Sequence, residues 1–289
     1  MLLRVEACGI CHGDSKVIEG AASSYPRIPG HEVVGVVERP GTNISKWKVG
    51  QRVGIGWHGG HGHTTALTTD GGYAEFMVAY EDGLILIPDE ITAEEAAPLL
   101  CAGETTFSAL HNSKARPGDL AAVSGIGGLG HLAVQYAKKQ DARSRQFPVV
   151  RIRNSLPKNL GRITILTVIV RTLLRYSKRW VEPKVILATA PDAKVISSLM
   201  GGLGVNGELI IVAVNDEPLG WSAMDFLMGP NTVKGTFTDI KEMEAAVRLS
   251  ILTDVRPMIE VFPLEQAREA YEKMMAARTH FRAVLRMTN

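Results

Sequence analysis

The chain has 289 residues, 45% of them hydrophobic, and its 32 basic and 30 acidic side chains leave a formal charge of +2. That length suggests about two domains with a large core, and so even a charge balance gives no reason to expect a nucleic-acid partner. Three cysteines, all explicable without disulfides, fit a reducing compartment; Met1-Leu-Leu-Arg-Val lacks the layout of a signal peptide, and the apolar run Ile163–Val170 stops at Arg171, short of bilayer length. A cytoplasmic protein without a membrane partner is expected.

From the N-terminus, the run Cys8-Gly-Ile-Cys11-His12-Gly-Asp14 is followed by Pro29-Gly-His31-Glu32 and later by Leu100-Cys101-Ala-Gly103. A structural zinc site of the finger type wants paired short spacings, which these separations do not supply. Two sulfurs and one imidazole with a free fourth position are instead the ligand set of an open catalytic zinc site. Taken singly, Cys101 reads as a small buried hydrophobe and His31 as a turn histidine. Cys8 and Cys11 also allow a redox Cys-x-x-Cys reading. Gly50–His58 and Asp70–Phe76 read as β-turn-β material, with Trp57 either a core residue or the wall of a cleft.

After the turn signal Arg116-Pro-Gly-Asp119, the short apolar run Ala121–Ser124 leads into Gly125-Ile-Gly127-Gly128-Leu-Gly130 and then a helical pattern over His131–Lys138. Strand, glycine turn and helix in that order form the context of a dinucleotide site. The first glycine allows the tight turn and the second lets the backbone approach a pyrophosphate. The third allows close packing of helix on strand, and the helix N-terminus favours the anion. Lys184–Thr189 and Glu208–Val214 are predicted as parallel-sheet strands, with helices over Pro191–Met200, Met224–Gly229 and Lys241–Leu249. Leu264–Met275 has the three-and-four spacing of an amphipathic helix that buries one face.

On these motifs the chain resembles the zinc-dependent medium-chain alcohol dehydrogenases, over nearly its whole length apart from residues 140–183. The resemblance implies that Cys11, His31 and Cys101 bind one catalytic zinc, with Asp14 orienting the His31 imidazole and Glu32 a second carboxylate behind the metal. It also implies that His12 and Arg282 contact the pyrophosphate of NAD or NADP beside Gly125, Gly127, Gly128 and Gly130, that Thr105 lies against the nicotinamide, and that Trp57 walls the substrate pocket. The implied fold is α/β: a GroES-like β-barrel catalytic domain at 1–102, to which 254–289 return, and a Rossmann coenzyme domain at 103–253. The implied activity is hydride transfer between an alcohol, or an aldehyde or ketone in reverse, and NAD(P). Family members associate through the coenzyme domain, so a homo-oligomer is an expected state, though no interface is legible here. A zinc-free reductase of the quinone reductase type and an inactive remnant of a damaged gene remain as alternative readings.

The chain departs from the family in four places. Residues 140–183 hold ten basic residues against Asp141 and Glu182, and the acidic residue expected about 20 positions past the glycines is missing. Codons for Asn159–Val168 can be written so that a shifted frame reads Leu-Gly-Ala-His-His-Tyr-Ile-Asp-Ser, the phrase such dehydrogenases carry into their third strand. A translation in the wrong frame is therefore expected over this stretch, rather than a basic arm for an acidic partner. No cysteine lies between Cys11 and Cys101, so the lobe that holds a structural zinc is missing, and the glycine-rich His58–His63 loop stands at its junction. The family also has strands ahead of residue 1, which implies truncation. Gly13 replaces the Ser or Thr that passes the substrate proton, and Lys16 stands where a relay histidine often does.

Overall fold

The computed structural model describes residues 1–20, 26–42, 46–116, 119–139, 149–151, 182–229 and 231–287. Residues 140–148 and 152–181, and with them the reading of a displaced frame, lie outside the described residues. The chain forms two compact units, Met1–Glu104 with Thr238–Asn289, and Thr105–Phe237. Among the described residues no helix is long and apolar enough to cross a membrane.

The first unit is built on strands β1 (Leu2–Ile10), β2 (Val33–Arg39), β3 (Arg52–Ile55), β4 (His58–Gly60), β5 (His63–Thr64), β6 (Phe76–Val78) and β7 (Leu84–Leu86), joined late in the chain by β13 (Ile259–Pro263) and β14 (Arg282–Arg286). They assemble in the order β13-β14-β1-β2-β3-β7, with β6 also on β1 and β4–β5 a separate ribbon. The start of β1 alternates between half-buried and buried positions, as a strand with one face on the core must. Its inward residues Leu3, Val5 and Ile10 join Val33, Val37, Val53, Ile55 and Leu285 in one core. Register then decides where the functional side chains fall. Ile10 pairs with Ala283, Cys8 with Val33 and Val33 with Ile55. Four neighbouring strands thus end or begin at one edge, delivering Cys11, His31–Glu32, Trp57 and Arg282 to the same place.

The second unit is a parallel sheet of β8 (Ala121–Ser124), β9 (Val149–Arg151), β10 (Val185–Ala188), β11 (Glu208–Ile211) and β12 (Thr232–Gly235), in the order β12-β11-β10-β8-β9 among the described residues. β8 and β10 are buried at every position, the mark of a sheet covered on both faces. The chain leaves β8 at the point where strand order reverses, which is where such sheets bind ligands. The glycine turn stands there, ahead of the helix Gly130–Lys139. The fold is therefore the expected α/β pair, a Rossmann unit and a GroES-like catalytic unit. The predicted helices are found at Ala193–Ser198, Ala223–Leu227, Ile240–Thr253 and Ala267–Met275. Asp192, Ser222 and Asp239 cap the first three with side-chain oxygens. Strands β12 and β13 and the helix Ala102–His111 were not anticipated from the sequence.

Candidate metal centre

Among the described residues one group of metal-binding side chains comes together: Cys11, His31, Glu32 and Cys101, whose ligand atoms all lie within 4.8 Å of one another. Cys11 leaves β1 into a tight turn, His12–Asp14, in which its sulfur accepts from the Gly13 amide at 3.4 Å while its own amide donates to Asp14 at 2.9 Å. His31 and Glu32 lead into β2, held by the Gly9 amide on the Glu32 carbonyl at 2.9 Å. Cys101 follows the turn Ala97–Leu100, which lies so close over Gly56 that a Cβ there would sit 2.5 Å from the Leu100 carbonyl oxygen. The two sulfurs stand 3.9 Å apart.

The electrostatics suit a cation. The thiol–thiol contact with Cys101 lowers the Cys11 pKa well below the usual thiol range, while Cys101 itself is raised by that contact and by burial. Burial alone would favour neutral His31; the Asp14 carboxylate and the Cys11 sulfur reverse this and hold its pKa well above the ordinary value. His31 Nδ1 lies 2.9 Å from Asp14, which leaves Nε2 for the side of the sulfurs. Burial pushes Glu32 up to about 7 in spite of the Arg282 guanidinium, which donates to both its oxygens at 2.5 Å. Arg282 is only 4% exposed, and its Nε has no hydrogen-bond partner among the described residues.

The other candidates from the sequence fall in different places. Asp14 is buried behind His31, and Trp57 stands edge-on to the His31 ring with centroids 5.0 Å apart. His12 is exposed on its turn. Cys8 is buried within the core, its thiol raised by burial and not part of the donor group. The three histidines of the glycine-rich loop part company: His58 turns to Thr238 at 2.8 Å and Glu104 at 3.3 Å, His61 to Asp82, and His63 stacks on Tyr80. In the second unit Thr105 lies on the helix Ala102–His111. Gly125 takes φ +91°, a Cβ on Gly127 would meet nothing within 4 Å, and a Cβ on Gly130 would run into the Gly125 carbonyl. Gly128 completes the turn. Two residues that sequence reasoning missed support these sites. Tyr73 donates its hydroxyl to Asp14 at 2.9 Å, and Thr189 donates to the carbonyls of Ser124 and Gly125 at 2.9 and 2.7 Å. Buried Glu104 was missed as well, although a carboxylate after Cys101-Ala-Gly stands out in an apolar stretch.

A chain that combines a parallel sheet carrying a glycine turn with a unit that gathers two thiols and an imidazole has the features of an oxidoreductase of the medium-chain class. Residues 1–89 match the family model described as the alcohol dehydrogenase GroES-like domain. The chain is 33% identical to an alcohol dehydrogenase of Aspergillus sp. (strain MF297-2) over 99% of its own length and 90% of that protein. Among solved structures it is similar to a cinnamyl alcohol dehydrogenase of Sorghum bicolor, with a TM-score of 0.80 and 27% identity over 99% of this chain and 89% of that one. It is also similar to CAD from Helicobacter pylori, solved in complex with NADP(H), with a TM-score of 0.77 and 26% identity over the same shares. The chain belongs to the medium-chain alcohol dehydrogenase family.

Proposed function

We propose that this alcohol dehydrogenase is zinc-dependent and transfers a hydride between a small alcohol, or the matching aldehyde or ketone, and NAD or NADP. The observation that carries the reading is the gathering of Cys11, His31 and Cys101 around one point, with Glu32 beside them. Two sulfurs, one imidazole and a free fourth position form the donor set of a catalytic zinc, and the Cys11 sulfur, already biased toward thiolate, is suited to a divalent cation. Bound there, zinc would supply Lewis-acid help in removing the alcohol proton.

The chain's own residues do the rest. Asp14 keeps a proton on His31 Nδ1 and so leaves Nε2 free to ligate. Arg282 engages both oxygens of Glu32 and fixes that carboxylate beside the two sulfurs and the imidazole. Exposed His12 and the Arg282 guanidinium are the cations proposed for a pyrophosphate. In the second unit, taken by itself, the open face at Gly127 leaves room for a dinucleotide phosphate against the N-terminus of the helix Gly130–Lys139. Trp57 covers His31 on one side. With glycine at position 13, the substrate proton leaves through water or another side chain. The relative with NADP(H) supports a nicotinamide cofactor without choosing between its two forms.

Zinc content per chain and alcohol oxidation test this together. Cys11→Ser and Cys101→Ser should each abolish both, whereas Cys8→Ser should leave zinc content unchanged. Loss of zinc from Cys8→Ser and its retention in Cys101→Ser would move the site to the Cys-x-x-Cys pair.

A further inference from the structure

We propose that Tyr73 is a positioning residue of the metal centre: its hydroxyl locks the Asp14 carboxylate, and through it the His31 imidazole. The proposal rests on the zinc reading above. Asp14 is fully buried, and a carboxylate out of water needs every partner it can find. One of its oxygens faces His31 Nδ1 at 2.9 Å and accepts from the Gly30 amide at 3.2 Å. The other accepts from the Cys11 amide and from the Tyr73 hydroxyl, both at 2.9 Å. Asp14 therefore ties together the Cys11 turn, the His31 segment and Tyr73, and among the described residues Tyr73 alone binds it with a hydroxyl.

That hydroxyl is placed by the chain rather than by chance. Residues 71–73 are laced onto 28–30, with the Gly71 amide donating to the Ile28 carbonyl, Gly72 to Gly30 and Tyr73 to Pro29 at 2.8, 2.9 and 3.0 Å. The Tyr73 ring lies over Gly30, which adopts φ +99°, so closely that a Cβ there would fall 2.4 Å from the ring. Tyr73 is thus fixed by the very segment that carries His31. Without the hydroxyl, one carboxylate oxygen would keep a single amide donor in a dry site, and the carboxylate would be free to turn away from Nδ1. Groups that orient a metal-bound imidazole are worth tenfold or more in metal affinity.

The test is chelator competition with zinc on metal-stripped full-length protein, together with the visible spectrum of its cobalt-loaded form. Tyr73→Phe keeps the ring and removes only the hydroxyl; it should weaken zinc about tenfold and alter the cobalt bands. Trp47→Phe is the control, since it removes a hydrogen bond of 3.0 Å to the Glu81 carbonyl in the same unit and belongs neither to the donor set nor to the partners of Asp14. It should lower the thermal midpoint but leave zinc affinity and the cobalt bands as in the parent. Equal zinc affinity in Tyr73→Phe and the parent, or equal weakening in both variants, would overturn the role of Tyr73 while the zinc reading stands. A parent protein that takes up neither zinc nor cobalt would overturn both.

Discussion

Gly13 leaves the donor set open where a hydroxyl would be useful. A Cβ at this position would stand 3.3 Å from the His31 ring, 3.7 Å from the Cys11 sulfur and 3.8 Å from His31 Nε2, a tight but tolerable fit. Gly13→Ser should therefore bring an exchangeable proton beside the reacting oxygen and raise turnover roughly tenfold without changing zinc content; steady-state kinetics at several pH values checks it. A second expectation concerns protons. In the metal-free protein His31 and Cys101 are both raised, so near neutral pH each carries the proton that a metal must displace. A raised pKa favours the protonated, metal-free form at low pH, so zinc affinity should climb as pH rises through neutrality. Calorimetry in two buffers of different ionisation enthalpy should register proton release with each zinc bound. The ligands were legible in the sequence because cysteine and histidine are scarce and their spacing is distinctive. Tyr73 was not, because its contact with Asp14 spans 59 positions and leaves no local pattern.

The glycine turn separates two demands that one motif must meet. Gly130→Ala would drive a methyl into the Gly125 carbonyl and disturb the junction of β8 and its helix, at a cost on the order of 3 kcal/mol. Gly127→Ala projects into open space, so it should leave the thermal midpoint unchanged while weakening NAD(H) and NADP(H) through the lost approach of the backbone. Titration calorimetry and thermal melts of the two variants should diverge in this way. Strands β8, β10 and β11 were legible as short runs rich in apolar residues. β12 and β13 were not, for a common reason: each lies at the end of its sheet and is only partly buried, with Lys234 within the one and Pro263 closing the other. An edge strand needs neither a continuous apolar run nor strict alternation, which are the two signals a sequence offers.

At the scale of the whole molecule, the family assignment rests on matches that run the length of the chain, while the basic stretch 140–183 stands outside what the structure accounts for except at β9. The three donors of the proposed zinc site, Glu32, Asp14, Tyr73 and Arg282 all belong to the first unit, which the chain enters, leaves at residue 104 and resumes at 238. The centre is thus composed of segments that are strangers in sequence: 90 positions separate Cys11 from Cys101, and 250 separate Glu32 from Arg282.

That separation gives the site a use as a clock. Contacts so distant form only after the intervening chain has been gathered in, which makes them slow. When denatured protein is refolded with cobalt present, the colour of the centre should appear in the last kinetic phase, after far-ultraviolet circular dichroism has recovered. Colour arriving with the first burst of secondary structure would mean that Cys11 and His31 capture metal without Cys101. In that case the ion would serve as a nucleus for folding, not as the seal on its completion.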